Sequence, residues 1–185
     1  MLKAKSKTLW IVNTGVFLAL LIVLQWAVKP LGTIVTGSVV NFLLIASALT
    51  AGIWSGLVVG VVSPFLALAL GVVPLPIYIV PVVAFGNAAL VLTYFLFLRR
   101  SAGIRTGRKQ ILWVITMVVA SLVKFAALYT GVNWLVVPLV TAVTGAPAKA
   151  PAAIFSTQQM LTAAIGGVLA LAIVPQVRKA IRQKG

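Results

Sequence analysis

From Leu9 to Val28 the chain reads LWIVNTGVFLALLIVLQWAV, twenty residues without one ionisable side chain. An apolar helix of about 20 residues is what crosses the roughly 30 Å hydrocarbon core of a bilayer. Similar runs recur along the chain. In lipid the backbone must satisfy its own polar groups, which leaves helices and closed barrels as the spanning structures. A barrel would show segments of about 10 residues alternating apolar and polar, a pattern these runs lack. The 185 residues are 62% hydrophobic and 8% charged, and the mean hydropathy is +1.19. A soluble domain of that make-up could not cover its surface with polar groups. The expectation is an all-α polytopic membrane protein, one transmembrane domain over residues 1–185.

Six membrane segments are predicted, at about 8–28, 37–50, 53–70, 76–98, 110–129 and 157–177. The second is short, and its join to the third at TAGIWSG is tight, so the two form a helical hairpin or a partly re-entrant pair. The basic start followed by an apolar run resembles a signal peptide. The run exceeds the usual core of about 7–15 residues, and no small-x-small cleavage site precedes Lys29, so it reads as a retained first helix. The segment 130–156 is too apolar for a solvated linker and is expected to act as a lid or to lie at the interface.

The cations give the orientation. Lys3, Lys5 and Lys7 precede the first segment; Arg99, Arg100, Arg105, Arg108 and Lys109 separate the fourth and fifth; Arg178, Lys179, Arg182 and Lys184 follow the sixth. With six spans all twelve fall on one face, which the positive-inside rule makes cytoplasmic together with both termini. Lys29 and Lys149 fall on the other face. Charge confined to helix ends points to membrane lipid and away from nucleic acid.

The residue inventory restricts the chemistry. There is no Asp, Glu, His or Cys, so carboxylate, imidazole and thiolate ligands for a metal are missing, as are the usual acid–base groups and proton relays. No glycine-rich loop ends in Gly-Lys-Ser/Thr, so ATP hydrolysis at a P-loop is excluded. The expectation is a non-enzymatic protein without cofactor, whose transport energy, if any, comes from another subunit.

Small residues four apart let helices approach closely in lipid. Gly52, Gly56 and Gly60 form such a ridge on the third segment, assigned to internal packing. Gly15 and Ala19 form a shorter pair on the first, suited to packing or to a partner.

Polar residues inside the apolar runs gather toward the face that lacks the basic clusters: Asn41, Tyr78, Asn87, Lys124, Tyr129, Asn133, Trp134, Gln158 and Gln159. Polar groups in membrane segments face the bundle interior or a wet cavity, and a converging set resembles a ligand pocket. Each also has a plainer role, as a helix-end group, an aromatic belt or an interhelical hydrogen bond. Lys124 is the sharpest of them, a cation in the apolar stretch VVASLVKFAALYTG of a chain with no acid. Either it snorkels to the interface, or it finds a lipid phosphate, backbone carbonyls at a helix end, or an anionic group on a bound ligand.

The stretches GSVVNFLLIASALTAGIWSGLVVGVVSPFLALALG and PLPIYIVPVVAFGNAALVLTYFLF, with the later ASLVKFAALYTG and FSTQQMLTAAIGG, resemble the membrane-embedded S components of energy-coupling-factor transporters. The resemblance covers nearly the whole chain. It implies a six-helix subunit in a prokaryotic plasma membrane that binds a vitamin or other micronutrient near the outer face. It further implies docking on a transmembrane T component driven by two cytoplasmic ATPases. Gly15 and Ala19 match that family's Ala-x-x-x-Ala docking motif with one alanine replaced by glycine. Two other classes compete: a stand-alone channel or facilitator, and a structural membrane protein without ligand. A pore would carry polar residues through its full depth, whereas here they thin out toward the basic face.

Overall fold

The computed structural model describes residues 7–72, 76–98, 106–144 and 152–183. Lys3, Lys5, Arg99, Arg100, Arg105, Lys149 and Lys184 lie outside them. The chain is an all-α bundle: α1 (Lys7–Val28), α2 (Thr33–Thr50), α3 (Ile53–Ala69), α4 (Val80–Leu98), α5 (Thr106–Gly131), α6 (Val137–Thr144) and α7 (Ala152–Gln183). A π-helical turn over Val132–Val136 joins α5 to α6, so the seven helices form six rods. Five are long and apolar enough to cross a membrane, and α3 is the shorter apolar helix. At 1.5 Å per residue the 17 residues of α3 reach about 26 Å.

α2 begins four residues before the predicted start. A short 3₁₀ turn, Lys29–Leu31, follows α1, and Gly32 at φ 94° then redirects the chain into α2. A side chain rarely adopts that φ, so glycine suits the corner. The TAGIWSG join is a hairpin, with only Ala51 and Gly52 between α2 and α3, and Gly52 stands at φ 108°. Much of the predicted 130–156 loop is helix. Pro138 removes a donor just beyond the π turn, and the ladder there runs from the Val137 N–H to the Val132 carbonyl. Val132 and Val136 pack on Val82, Val83 and Leu128. Residues 145–151, where a lid would hinge, lie outside the described residues.

Association of apolar helices in lipid depends on close packing rather than on the hydrophobic effect. α2 is the central helix, with every residue from Leu43 to Leu49 buried. Its seam with α7 is close: a Cβ on Gly166 would sit 2.8 Å from the Phe42 nitrogen and 2.9 Å from the Ser38 carbonyl oxygen, and one on Gly37 would sit 2.9 Å from the Thr162 methyl. Gly86 against Leu128 and Gly131 against Val82 close the α4–α5 seam. Of the predicted Gly52–Gly56–Gly60 ridge, Gly56 packs on Ala48 and Gly60 on Asn87, whereas Gly52 belongs to the turn and meets nothing within 4 Å.

Side-chain contacts tie each end of the bundle. At one end the Thr14 and Ser55 hydroxyls share a hydrogen bond of 2.7 Å, and Arg178 Nε donates to the Leu49 carbonyl at 2.8 Å. Lys7, Arg108, Lys109, Arg178 and Lys179 belong to this basic end. At the opposite end Lys29 Nζ donates to the Gly71 carbonyl at 3.3 Å, and Gln158 donates to the Thr33 hydroxyl. A buried apolar layer that includes Leu44, Leu90, Tyr94, Leu98 and Trp113 fills the basic half. The opposite half holds a cavity.

Candidate functional site

The cavity has a volume of about 480 Å³, within the range of small-molecule sites. Every long rod contributes to it. α1 and the turn after it give Gln25 and Lys29; α2 gives Thr33, Thr36, Val40 and Asn41; α3 gives Ser63, Pro64, Ala67 and Leu68; α4 gives Val83 and Asn87; α5 gives Lys124; α7 gives Gln158, Gln159 and Thr162.

Lys124 is 1% exposed. It does not snorkel. Its Nζ donates to Asn41 Oδ1 at 2.7 Å and to Asn87 Oδ1 at 2.8 Å. The partners are therefore side-chain amides, which the sequence-based expectation of lipid phosphate, backbone carbonyl or ligand anion did not include.

Both amides are held with oxygen toward the lysine. Pro64 has no N–H, so the Gly60 carbonyl four residues earlier loses its helical donor. Asn87 Nδ2 supplies one at 3.1 Å, and with nitrogen committed to a carbonyl the oxygen must face Lys124. Asn41 Nδ2 donates to Thr162 Oγ1 at 3.1 Å. The Thr162 hydroxyl spends its own proton on the Gln159 carbonyl at 3.0 Å, so it can only accept from Asn41. A proline in α3 and a threonine in α7 thus orient two asparagines that cradle one ammonium. An ammonium has three donors, and two are taken. Amide dipoles solvate an ammonium but carry no charge to neutralise it.

Of the residues singled out from the sequence, Lys124, Asn41, Asn87, Gln158 and Gln159 come together around the cavity. Tyr78, Tyr129, Asn133 and Trp134 do not line it. Tyr78 and Tyr129 are exposed and Trp134 is 82% exposed. Tyr129 stacks on Phe125 with centroids 5.8 Å apart, and Asn133 Nδ2 donates to the Tyr129 carbonyl at 2.9 Å. The helix simply continues past Gly131, so these residues ride its outward surface. Sequence reasoning missed Gln25, Lys29, Thr33, Thr36, Ser63 and Thr162. A lone amide in VLQWAV was the available signal for Gln25. The hydroxyl residues carried none, because a Ser or Thr in a membrane helix can bond its own preceding turn, as Thr36 does to the Gly32 carbonyl at 2.9 Å.

Comparisons with protein families, with characterised proteins and with solved structures find no match to this chain.

Proposed function

We propose that this chain is a membrane-embedded capture subunit for an anionic or zwitterionic small molecule, the S component of an energy-coupling-factor importer. The observation that carries this reading is the Lys124 ammonium, 1% exposed at the wall of a cavity of about 480 Å³, in a chain without a single carboxylate side chain. A buried cation is costly unless it is paired, and a ligand anion completes the pair. The apolar layer below favours a closed-bottomed pocket over a pore. With the basic end cytoplasmic by the positive-inside rule, the pocket faces outward, in a prokaryotic plasma membrane. A T component and two ATPases supply the energy that this chain cannot. Gly15 and Ala19 are exposed on α1, and a Cβ on Gly15 meets nothing within 4 Å, which leaves a low ridge for that partner.

Reconstitution tests the proposal. The isolated chain in liposomes should retain its ligand through purification and pass no anionic solute across the bilayer. Steady flux through the isolated chain would instead make it a channel or facilitator.

A further inference from the structure

Resting on the capture reading, the walls of the cavity specify the ligand more narrowly. Gln25 is 8% exposed and lines the cavity, yet among the described residues neither its amide nitrogen nor its amide oxygen has a hydrogen-bond partner. A primary amide has two donors and an acceptor, and those of Gln25 are accessible and free to bond. Every other buried amide near the cavity is committed: Asn41 to Thr162 and Lys124, Asn87 to Gly60 and Lys124. Among the described residues Gln25 and Ser63 are nearly buried polar residues of the lining whose side chains form no hydrogen bond within the protein.

The remaining wall has a definite character. Pro64, Ala67 and Leu68 of α3, with Val40, Val72 and Val83, present aliphatic surface. Among the described residues no aromatic side chain lines the cavity, so no stacking platform awaits a flat ring. The neutral hydroxyls and amides of α2 and α7 add no charge.

We infer that the cavity takes an aliphatic carboxylate that also carries a neutral amide or hydroxyl function. Its carboxylate accepts the remaining N–H of Lys124, its neutral polar function exchanges hydrogen bonds with the Gln25 amide, and its hydrocarbon lies on the α3 wall. Lys29, four residues beyond Gln25, is the second cation of the lining and donates to the Gly71 carbonyl at 3.3 Å.

The test uses the full chain in detergent, stripped of bound small molecules, and ligand-observed NMR titration. The probes are N-acetyl-β-alanine, hexanoate, 4-hydroxybenzoate and the cation of N-acetylethylenediamine. N-acetyl-β-alanine should bind more tightly than hexanoate, and the other two should bind more weakly than either. Gln25→Leu should lower affinity for N-acetyl-β-alanine by about fivefold more than for hexanoate, the worth of one neutral hydrogen bond. Gln25→Met keeps the side-chain length and serves should the leucine variant fail to fold. Equal losses for both acids, or 4-hydroxybenzoate or the cation binding best, would overturn the inference and leave the capture reading standing. No binding by any probe, with no small molecule released from the freshly purified chain, would overturn both.

Discussion

Lys124→Ala separates two quantities that a buried cation usually confounds. Loss of the ammonium strands Asn41 Oδ1 and Asn87 Oδ1, which now accept at 2.7 and 2.8 Å on residues 1% and 2% exposed. Each stranded acceptor costs about 1–3 kcal/mol. Against this, the variant no longer places a lysine in a membrane helix, a relief of roughly 2.5–3.5 kcal/mol on insertion scales. The two terms largely offset, so the fold should survive with a net loss of at most about 3.5 kcal/mol. The affinity has no such compensation. A hydrogen bond to a charged group is worth about 1.5–3 kcal/mol, and 1.4 kcal/mol is tenfold, so affinity for an anionic ligand should fall by about 10- to 150-fold. Lys124→Arg should restore only part of it. One compact ammonium serves both amide oxygens from a single nitrogen, whereas a planar guanidinium spreads its donors along a fork. Calorimetry on the folded variants, with the molecule released from the wild type, measures the ratio. Unchanged affinity in a folded Lys124→Ala protein would refute the assignment of Lys124 as anchor.

Four further outcomes are expected. Pro64→Ala returns an N–H to the Gly60 carbonyl and loosens its hold on the Asn87 amide; thermal unfolding should shift upward, since proline is a poor helix residue, while calorimetry shows a severalfold loss of ligand affinity. Gly166→Ala sets a methyl against the Phe42 nitrogen and Ser38 carbonyl of α2, where backbone cannot yield, and should cost about 1–3 kcal/mol in denaturant unfolding. Tyr94→Phe removes a fully buried hydroxyl that has no hydrogen-bond partner among the described residues, and should raise stability by about 1 kcal/mol in the same assay. Gly15→Leu with Ala19→Leu should abolish co-purification with a T-type partner while ligand binding persists, because the exposed ridge on α1 no longer admits a close helix.

The helices were legible because apolar runs near bilayer length admit few other structures, and five of the six rods meet that length. Their ends were less so. Residues 33–36 fall outside the predicted second segment, yet α2 starts at Thr33 and Gly37 lies inside it, small to admit Thr162. The 130–156 segment is expected to be a lid or an interfacial stretch, yet a single π turn lets α5 run on to Thr144. Lys124 stood out by itself, as a cation among apolar neighbours does. Its partners lie 83 and 37 positions away, and nothing local marks them as its acceptors. Tyr129, Asn133 and Trp134 are close to Lys124 in sequence, but α5 runs on past Gly131, so Trp134 lies ten residues and about 15 Å further along the same rod. The role of Pro64 is visible only once Asn87 is seen beneath the carbonyl that the proline leaves open.

The central claim is that the cavity beside Lys124 holds a small anion, and mass spectrometry of what the gently purified chain releases tests it most directly. One dominant non-lipid anion, near one per chain in the wild type and lost from folded Lys124→Ala, is the predicted result. Only lipid from the wild type, or the same molecule in the same amount from both proteins, would contradict it.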